Sequence, residues 1–476
     1  MVKKIKLTIL LILLTAVITS GQKCVKPIRL DKGPHFFIDD YLIANDSFII
    51  RTVNNPHKLK HPIITSGTKG DQNWQPYLSV LRDPQTHMFR IWYNTPVDTS
   101  ITNRCHIGYM ESKDGIHWIG PPKILKDPLP IQFGVTVLDR GVNYKNPSKR
   151  YVLATYLKPG FRVSTSPDGI HWTSISDKPV FLHNHDITTL AWDPIRKRYI
   201  AVVSNRLSGF GDPSNPSIDD KRRIPHETVS KDLLNWKPIW PIIMPMNDIP
   251  KEHGETQFYS MSGIITRGDL MIGLVKILRD DLNATPGKTA KQMGDMHRKA
   301  AGLGYTVLAW SRDGVTWERD YQAFIPRNPI PGTFDHAMSW GDEQIIVGNK
   351  TYVYYAGYKR GHKINRFHER QIGLAIMKKD RYVSRDAGMN KGEITTKPVV
   401  LIGSSLSVNA NVIGYFKVRI LKQNCQPISG FGWVNVKGNN VDIKVDWKKD
   451  LRTLHGKPVR LQFKMKNAQL FCFYIK

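Results

Sequence analysis

A seven-residue pattern, Ser-x-Asp-Gly-x-x-Trp, recurs along this chain and constrains its fold more than any other feature. It occupies 112–118, 166–172 and 311–317, and a degenerate copy with Leu in place of Gly occupies 230–236. The successive Asp residues are 54, 64 and 81 positions apart, namely Asp114, Asp168, Asp232 and Asp313. A unit repeated at such intervals is typical of propellers and solenoids built from small β-sheets.

Each copy of the pattern follows a segment whose apolar residues alternate with a period of two, such as 106–110 or 304–308. This alternation predicts a β-strand with one buried face. Asp-Gly then makes a tight turn, because Gly adopts positive φ and Asp bonds the backbone of the turn. The Trp begins the next strand and is expected to pack between neighbouring sheets. Repeated positions usually serve the scaffold, so we interpret these Asp residues as structural.

A second repeated element, a turn followed by a strand, precedes the turn motif at 82–93, 146–154 and 192–202. The two elements together divide the chain into five blades, which we place at 73–121, 134–176, 186–237, 255–319 and from 334 onward. The fifth blade lacks the Asp-Gly turn. We expect residues 36–43 to supply its outer strand, because closing the ring removes exposed sheet edges.

The chain changes character after Asp386-Ala387-Gly388, where short alternating segments follow at the spacing of a β-sandwich. A length of 476 residues also exceeds the usual size of one core. We therefore predict an all-β protein, with a five-bladed β-propeller over 22–388 followed by a C-terminal β-sandwich over 389–476. Residues 288–301 are the one stretch with helix-like composition.

Residues 1–21 resemble a secretory signal peptide, with a basic start, an apolar stretch and small residues before Gln22. The apolar stretch is shorter than a membrane span. We therefore expect a secreted or periplasmic protein without stable membrane insertion. Lys23 directly precedes Cys24, which disfavours a lipid anchor there. Cys425 and Cys472 both fall in the predicted sandwich and either form a disulfide or stay as buried free thiols.

The formal net charge is +29, from 69 Lys and Arg against 40 Asp and Glu. Such a surface attracts polyanions over long distances. The sequence carries no signature of a nucleic-acid-binding module, so we do not expect a nucleic-acid partner. An acidic polysaccharide is the predicted partner, and the alternative is a general lysine-rich bias without functional meaning.

Residues that open the innermost strands of a propeller face one mouth of its central channel, and acids are frequent at these positions here. The predicted catalytic residues are Asp40, Asp186, Glu255 and Asp335. The predicted substrate-binding residues are Trp74, Gln75, His185, Gln257 and His336. Converging carboxylates are what glycoside hydrolysis needs, because one donates a proton and another attacks or activates water. Like charges at close range also separate the two pKa values.

Other functions remain open at this stage. The propeller could bind carbohydrate without turnover, and a buried carboxyl with a raised pKa would favour an enzyme over that alternative. A polysaccharide lyase would use His185 or His336 with Arg222 or Arg223. Metal binding by His183, His185, Asp186 and His253 lacks a diagnostic spacing. We predict no cofactor, although a structural calcium ion in the channel is compatible with its carboxylates.

Beyond the turn motif, several segments carry a family resemblance, namely 36–43, 55–58, 257–262, 334–338, 386–388 and 396–398. They resemble exported bacterial proteins related to the five-bladed propeller glycoside hydrolases of families 32 and 43, the invertase/arabinanase-like superfamily. That resemblance implies Asp186 as the second catalytic Asp and Glu255 as the acid. The Trp-Met-Asn-Asp-Pro-Asn-Gly and Glu-Cys motifs of the invertase-like family are absent.

Overall fold

A computed structural model describes residues 26–65, 77–97, 104–184, 188–210, 221–244, 257–365 and 367–476. These ranges contain mostly β-strands, with one short helix, α1 (Ala290–Met293), and two turns of 3-10 helix, Pro147–Lys149 and Leu451–Leu454. Within them, no helix has the length and apolar character needed to cross a bilayer. The prediction of an all-β protein is confirmed.

Five short strands come first along the chain. They are β1 (Ile28–Leu30), β2 (Gly33–Phe36), β3 (Ile43–Ser47), β4 (Ile50–Val53) and β5 (His57–Lys58). Each is too short to be stable alone, and each pairs with a strand far along the sequence. Their pairing therefore connects the beginning of the described chain with strands late in the sequence.

The next twenty strands lie in four sheets, which we divide into five antiparallel groups called blades 1 to 5, because a single parallel bridge between Gly304 and Met338 joins the last two groups. Blade 1 contains β6 (Leu78–Arg82), β7 (Phe89–Pro96), β8 (Cys105–Ser112) and β9 (Trp118–Leu125). Blade 2 contains β10 (Phe133–Asp139), β11 (Tyr151–Leu157), β12 (Gly160–Ser166), β13 (Thr173–Ser174) and β14 (Phe181–Leu182). Blade 3 contains β15 (Thr188–Asp193), β16 (Arg198–Leu207), β17 (Arg222–Ser230) and β18 (Trp240–Pro241). Blade 4 contains β19 (Gln257–Arg267), β20 (Leu270–Arg279), β21 (Leu303–Ser311) and β22 (Glu318–Arg319). Blade 5 contains β23 (Met338–Val347), β24 (Lys350–Tyr358) and β25 (Arg370–Lys378).

The first strands of the blades surround a central cavity. Each of β6, β10, β15, β19 and β23 contacts the first strands of the two neighbouring blades, so the five strands close a ring. Apolar clusters fill the spaces between consecutive blades, as expected for sheets packed face to face. The described strands therefore form a propeller, and the innermost strands line its axis.

The repeated turns hold neighbouring blades together. The carbonyl of Gly169 in blade 2 accepts a hydrogen bond from the Trp92 indole of blade 1, at 2.7 Å. The carbonyl of Gly314 in blade 4 accepts one from Arg198 of blade 3, at 2.6 Å. Tyr354 of blade 5 donates to the Gly115 carbonyl of blade 1 in the same way, at 3.0 Å. These contacts support the structural interpretation of the repeat.

The degenerate copy of the motif keeps the same backbone without glycine. Leu233 has a φ of +73°, and Gly115, Gly169 and Gly314 have φ values between +62° and +78°. An L-residue in this left-handed region is strained. The buried Leu233 side chain packs in the cluster between blades 2 and 3, which compensates for the strain.

The ring closes differently from the sequence prediction. The strand that pairs with β25 is β5, through Lys58 opposite Ala375 and His57 opposite Ile376. Residues 36–43, which were predicted to close the ring, instead follow β2, and β2 pairs with the C-terminal strand of the chain. The closing strand has only two residues and so lacks the alternation by which a strand is recognised in sequence.

The remaining strands form the sandwich. They are β26 (Val383–Ala387), β27 (Gly392–Thr396), β28 (Val399–Leu401), β29 (Leu406–Lys422), β30 (Val434–Val445) and β31 (Val459–Ile475). The strands β1, β2, β3 and β4 complete this sheet by pairing with β28, β31, β27 and β26. Residues 28–53 thus belong structurally to the sandwich, although they lie within the range predicted for the propeller.

The propeller and the sandwich share a buried interface. Asp380, which is fully buried, accepts two hydrogen bonds from Arg267 at 2.8 and 2.7 Å and one from the Tyr474 hydroxyl at 2.8 Å. Cys472 is buried in the same apolar cluster. Cys472 and Cys425 are both free thiols and Cys425 is exposed, so the predicted alternative of a disulfide between them does not occur in the structure.

Candidate functional site

The structure describes four of the nine predicted site residues. Asp186, Glu255, Trp74, Gln75 and His185 lie outside the described residues, so their predicted roles stay predictions. The backbone of Gln257 opens β19 and pairs with Leu278. Asp335 and His336 lie just before β23, and Asp40 lies just before β3.

Asp335 is buried and links the closing strand to blade 5. Its carboxylate accepts hydrogen bonds from the Lys58 ammonium at 2.8 Å and from the Tyr355 hydroxyl at 3.0 Å. Burial lowers the pKa of Lys58, and the charge of Asp335 opposes that shift. His336 is buried as well, with Nε2 3.0 Å from the Thr285 hydroxyl and Nδ1 2.9 Å from the Asn328 carbonyl. These contacts position the entry to β23.

Asp40 occupies a different part of the molecule. Its side chain is 78% exposed and pairs with Arg385 of the sandwich strand β26, at 2.6 Å. The neighbouring Asp39 accepts hydrogen bonds from the Arg312 guanidinium and the Trp310 indole. In the described structure Asp40 shares no contact with Asp335. Asp40 and Asp335 were predicted to share one site, but the structure does not bring them together.

A cavity of about 190 Å³ lies on the propeller axis, between the five innermost strands. Apolar side chains form most of its wall. The residues with polar side chains on this wall are Tyr77, Thr136, Thr188, Thr189, Ser260, Ser262, Lys276, Asp342, Glu343 and Gln344. An apolar cavity with a few converging polar groups is the usual form of a small-molecule site.

Asp342 and Lys276 form a buried ion pair on the wall of this cavity. The Lys276 ammonium donates to Asp342 Oδ1, and both side chains are at most 4% exposed. Burial raises the pKa of Asp342 to about 6, and the charge of Lys276 opposes this shift. A carboxyl with this pKa is mostly ionised at pH 7.

Glu343 follows Asp342 in β23 and faces the same cavity. One of its carboxyl oxygens lies 3.2 Å from the Ser79 hydroxyl. Burial raises the pKa of Glu343 to about 8, and the neighbouring charge of Asp342 adds to the shift. At pH 7 the Glu343 carboxyl is therefore mostly protonated while the Asp342 carboxyl is mostly ionised.

A β-bulge explains why two consecutive residues reach one cavity. Side chains alternate between the faces of a regular strand, but the register of β23 against β24 shifts between Gly341 and Glu343. Neither acid was predicted from the sequence, because neither is among the residues that open a blade. The available signal was charge inside apolar strands, with Lys276 inside β20 and the two acids inside β23.

Three polar atoms on the cavity wall have no hydrogen-bond partner among the described residues. They are the hydroxyl oxygens of Thr188 and Ser260 and the Oδ2 atom of Asp342. Buried polar atoms in proteins nearly always have a partner. These three atoms therefore point to a polar occupant of the cavity, such as water or a hydroxylated ligand.

The calcium ion that the sequence allowed in the channel stays a prediction. Calcium takes six to eight oxygen ligands, several of them from carboxylates. No group of three or more His, Cys, Asp or Glu side chains converges in the described part of the chain. At the cavity acids, the ammonium of Lys276 already occupies the position next to Asp342.

One other described Glu has a comparable pKa but lies away from the cavity. Glu227 on β17 is fully buried between blades 3 and 4, and its carboxyl accepts a hydrogen bond from the Trp317 indole at 2.6 Å. Burial raises the pKa of Glu227 to about 8. Because the repeat motif supplies Trp317, this acid belongs to the scaffold between two blades. Arg222 and Arg223, from the lyase alternative, are buried at the start of the same strand.

No family model matches the chain, and no curated protein matches it in sequence. Several solved structures align with the chain. A structure titled glycoside hydrolase is 16% identical, with a TM-score of 0.44 over 68% of this chain and 92% of the other. A glycosyl hydrolase from Bacteroides ovatus is 13% identical, with a TM-score of 0.42 over 70% and 96%. A fructofuranosidase from Schwanniomyces occidentalis is 12% identical, with a TM-score of 0.39 over 89% and 98%. At these values the activities of those proteins cannot be transferred to this chain.

Proposed function

We propose that this chain is an exported glycoside hydrolase that cleaves a polysaccharide or oligosaccharide at the mouth of the propeller axis and the cavity below it. One observation carries the proposal. Asp342 and Glu343 lie on the same cavity with pKa values of about 6 and about 8. A pair of carboxyl groups whose environments separate their pKa values is the arrangement that general acid catalysis of glycoside cleavage needs.

In this proposal Glu343 is the proton donor. Its pKa of about 8 keeps it protonated at neutral pH, so it can protonate the oxygen of the leaving sugar. Asp342 stays ionised beside Lys276, and its charge stabilises the positive charge that develops on the sugar ring. The unpartnered hydroxyls of Thr188 and Ser260 bind sugar hydroxyls. The second catalytic carboxylate comes from the mouth, where Asp186 and Glu255 are the predicted residues.

The substrate class and the location follow from the sequence. The net charge of +29 favours a sulfated or uronate-rich glycan over a neutral one. Residues 1–21 have the pattern of a secretory signal, which supports export to a compartment where polysaccharides are found. The cavity acids also favour an enzyme over a purely carbohydrate-binding propeller, because their raised pKa values occur on the wall of a cavity, unlike that of the scaffold residue Glu227.

The test is product release from neutral, sulfated and uronate-containing glycans by the wild type and four variants. Glu343→Gln removes the proton donor, while Asp186→Asn and Glu255→Gln test the two mouth acids. Glu227→Gln is the matched control, because it changes the same residue type with the same pKa of about 8 away from the cavity.

We expect the wild type and Glu227→Gln to release reducing sugar and folded Glu343→Gln to release almost none. Glycan binding without any turnover by the wild type would contradict hydrolysis and support a binding protein. Products that absorb ultraviolet light as unsaturated uronates would contradict hydrolysis and indicate a lyase reaction. Full activity in Glu343→Gln would remove the cavity from the mechanism.

A further inference from the structure

The outer face of the sandwich carries a dense group of cations. Strands β30, β29 and β31 lie side by side, and their outward side chains include five basic residues and Tyr415, while Trp433 directly precedes β30. We call this set the cationic face, and its residues are Tyr415, Lys417, Arg419, Trp433, Lys437, Lys464 and Lys466. The intervening residues, such as Phe416, Val418 and Phe463, are buried in the sandwich core. Alternation in the strands therefore fixes the outward direction of the face.

The register brings like charges together on this face. Lys417 on β29 lies directly opposite Lys464 on β31, and Tyr415 lies opposite Lys466. Like charges at directly opposed positions destabilise a sheet. Lys464 pairs with Glu393 of β27 at 2.9 Å. Among the described residues, Lys417, Lys437 and Lys466 have no ion-pair partner, so the face retains uncompensated positive charge.

Two aromatic rings hold the cations in place. The guanidinium of Arg419 lies 4.4 Å from the centre of the Trp433 ring, and the ammonium of Lys464 lies 5.4 Å from the same ring. Lys417 lies 5.6 Å from the ring of Tyr415. Contacts of this type restrain the long side chains without neutralising them. The cations are thus arranged in advance for an anionic ligand.

We propose that the cationic face is a binding site for a linear acidic polysaccharide, separate from the central cavity. Neighbouring strands lie about 4.8 Å apart and alternate residues of one strand about 6.8 Å apart, so the cations form a closely spaced grid. Such a grid suits an extended polymer with an anionic group on each sugar, which contacts several cations at once. The choice of a glycan over other polyanions rests on the proposed function, whereas the anion site itself rests on the sheet.

This site would hold the polymer while the propeller acts on it. The face contains none of the residues of the cavity or of the mouth. Changes to the face are therefore expected to alter polymer binding and to leave cleavage of a short soluble oligosaccharide unchanged. That difference separates the binding site from the catalytic site.

The test is the affinity of the full-length protein for heparin, polygalacturonate and neutral dextran at low salt. The variant Lys417→Gln/Lys437→Gln/Lys466→Gln removes three cations that have no ion-pair partner in the described structure. The control Lys113→Gln/Lys145→Gln/Lys178→Gln removes the same charge from exposed positions on blades 1 and 2. A DNA duplex serves as a competitor of another class.

We expect the first variant to bind heparin and polygalacturonate about tenfold more weakly, since each exposed ion pair contributes a factor of a few. The control is expected to stay within about twofold of the wild type, and dextran is not expected to bind. Equal losses in the two variants would overturn the proposal, because binding would then follow total charge. Stronger competition by DNA than by either glycan would overturn the choice of ligand. If the wild type has no hydrolase activity but the first variant still binds these glycans more weakly, the result supports the binding site and contradicts only the proposed function.

Discussion

The acids of the repeated turns and the acids of the cavity are all carboxyl groups, but their pKa values are shifted in opposite directions. Partial burial alone would raise the pKa of Asp168, but hydrogen bonds from His171, Ile170 and Ser166 outweigh it and hold the pKa well below its usual range. Asp313 in the fourth blade has a pKa of about 2 for the same reason. On the cavity wall, burial outweighs the hydrogen bonds and charges that oppose it, and it raises the pKa of Asp342 to about 6 and that of Glu343 to about 8.

This difference in pKa distinguishes the structural acids of the turns from the proposed catalytic acids of the cavity. A carboxylate that accepts several backbone hydrogen bonds is fixed in its ionised form and cannot take part in proton transfer near neutral pH. The turn acids recur because blades 1 to 4 share the same turn. The cavity acids occur in one blade, where a bulge aims both at the axis. The distinction predicts opposite responses of the two groups to substitution and to pH.

The largest expected effect is on turnover. Replacing Glu343 by Gln removes the proposed proton donor, and general acid catalysis contributes about 10²- to 10⁴-fold to a rate. We expect kcat to fall by that factor and KM to change little. Asp168→Asn, at a repeated turn, is expected to leave kcat unchanged. Steady-state kinetics on a glycan that the wild type cleaves gives both kcat and KM. A comparable loss of kcat in Asp168→Asn would contradict the distinction between turn acids and cavity acids.

The next effect is the dependence of stability on pH. The pKa of Glu343 is about 8 in the folded chain against an ordinary 4.5, so the folded chain binds this proton more tightly. Its contribution to stability is complete below pH 4.5 and is lost as the pH rises to 8, by up to about 1.4 kcal/mol per pH unit. Glu227 contributes with the same sign.

Urea unfolding at pH 5, 7 and 9 measures this slope. We expect Glu343→Gln and Glu227→Gln each to flatten it. The turn acids act in the opposite direction, because their pKa values are lowered and their contribution is lost only as the pH falls below about 4. A slope that neither Gln variant changes would contradict the raised pKa values.

A smaller effect is expected from removing one turn acid. The Asp168 carboxylate accepts hydrogen bonds from the backbone amides of Ile170 and His171 at 2.8 and 2.9 Å and from the Ser166 hydroxyl at 3.0 Å. Asp168→Ala should lower the free energy of unfolding by about 1–3 kcal/mol. Asp177→Ala, at an exposed position nearby, is the control and should have almost no effect. Similar values for the two variants would show that the turn does not depend on its acid.

The smallest expected effect concerns the cationic face. Lys417→Gln relieves the repulsion between Lys417 and Lys464, so it should raise the free energy of unfolding by up to about 1 kcal/mol. If Lys417 had a purely structural role, its substitution would instead lower the free energy of unfolding. Thermal unfolding at low and high salt measures this, because salt screens the repulsion and should reduce the difference.

Much of the fold could be predicted from the sequence because the repeat is local. The Ser, Asp and Gly of each motif contact one another within three residues, so the letters alone specify the turn. The motif Trp was expected to pack between sheets, and Trp317 does so between blades 3 and 4. The closing strand β5 could not be recognised, because its position depends on pairing between Lys58 and Ala375, more than 300 residues away.

The candidate site was less predictable because it depends on distance and burial. Asp39 and Asp40 are adjacent acids in the sequence, yet they bond to Arg312 and Arg385 on different elements. Asp342 and Glu343 would face opposite sides of a regular strand, and only the bulge brings both to the cavity. A search for single charges inside apolar strands would have found Lys276 and Glu343.

The most direct test of this account is the protonation state of Glu343 at neutral pH. Infrared difference spectra between the wild type and Glu343→Gln isolate the carboxyl band of this residue, with Glu227→Gln recorded in parallel. We expect a protonated carboxyl band at pH 7, which disappears as the pH rises with a midpoint near pH 8. A band that has already disappeared at pH 7, with a midpoint near the ordinary 4.5, would contradict it.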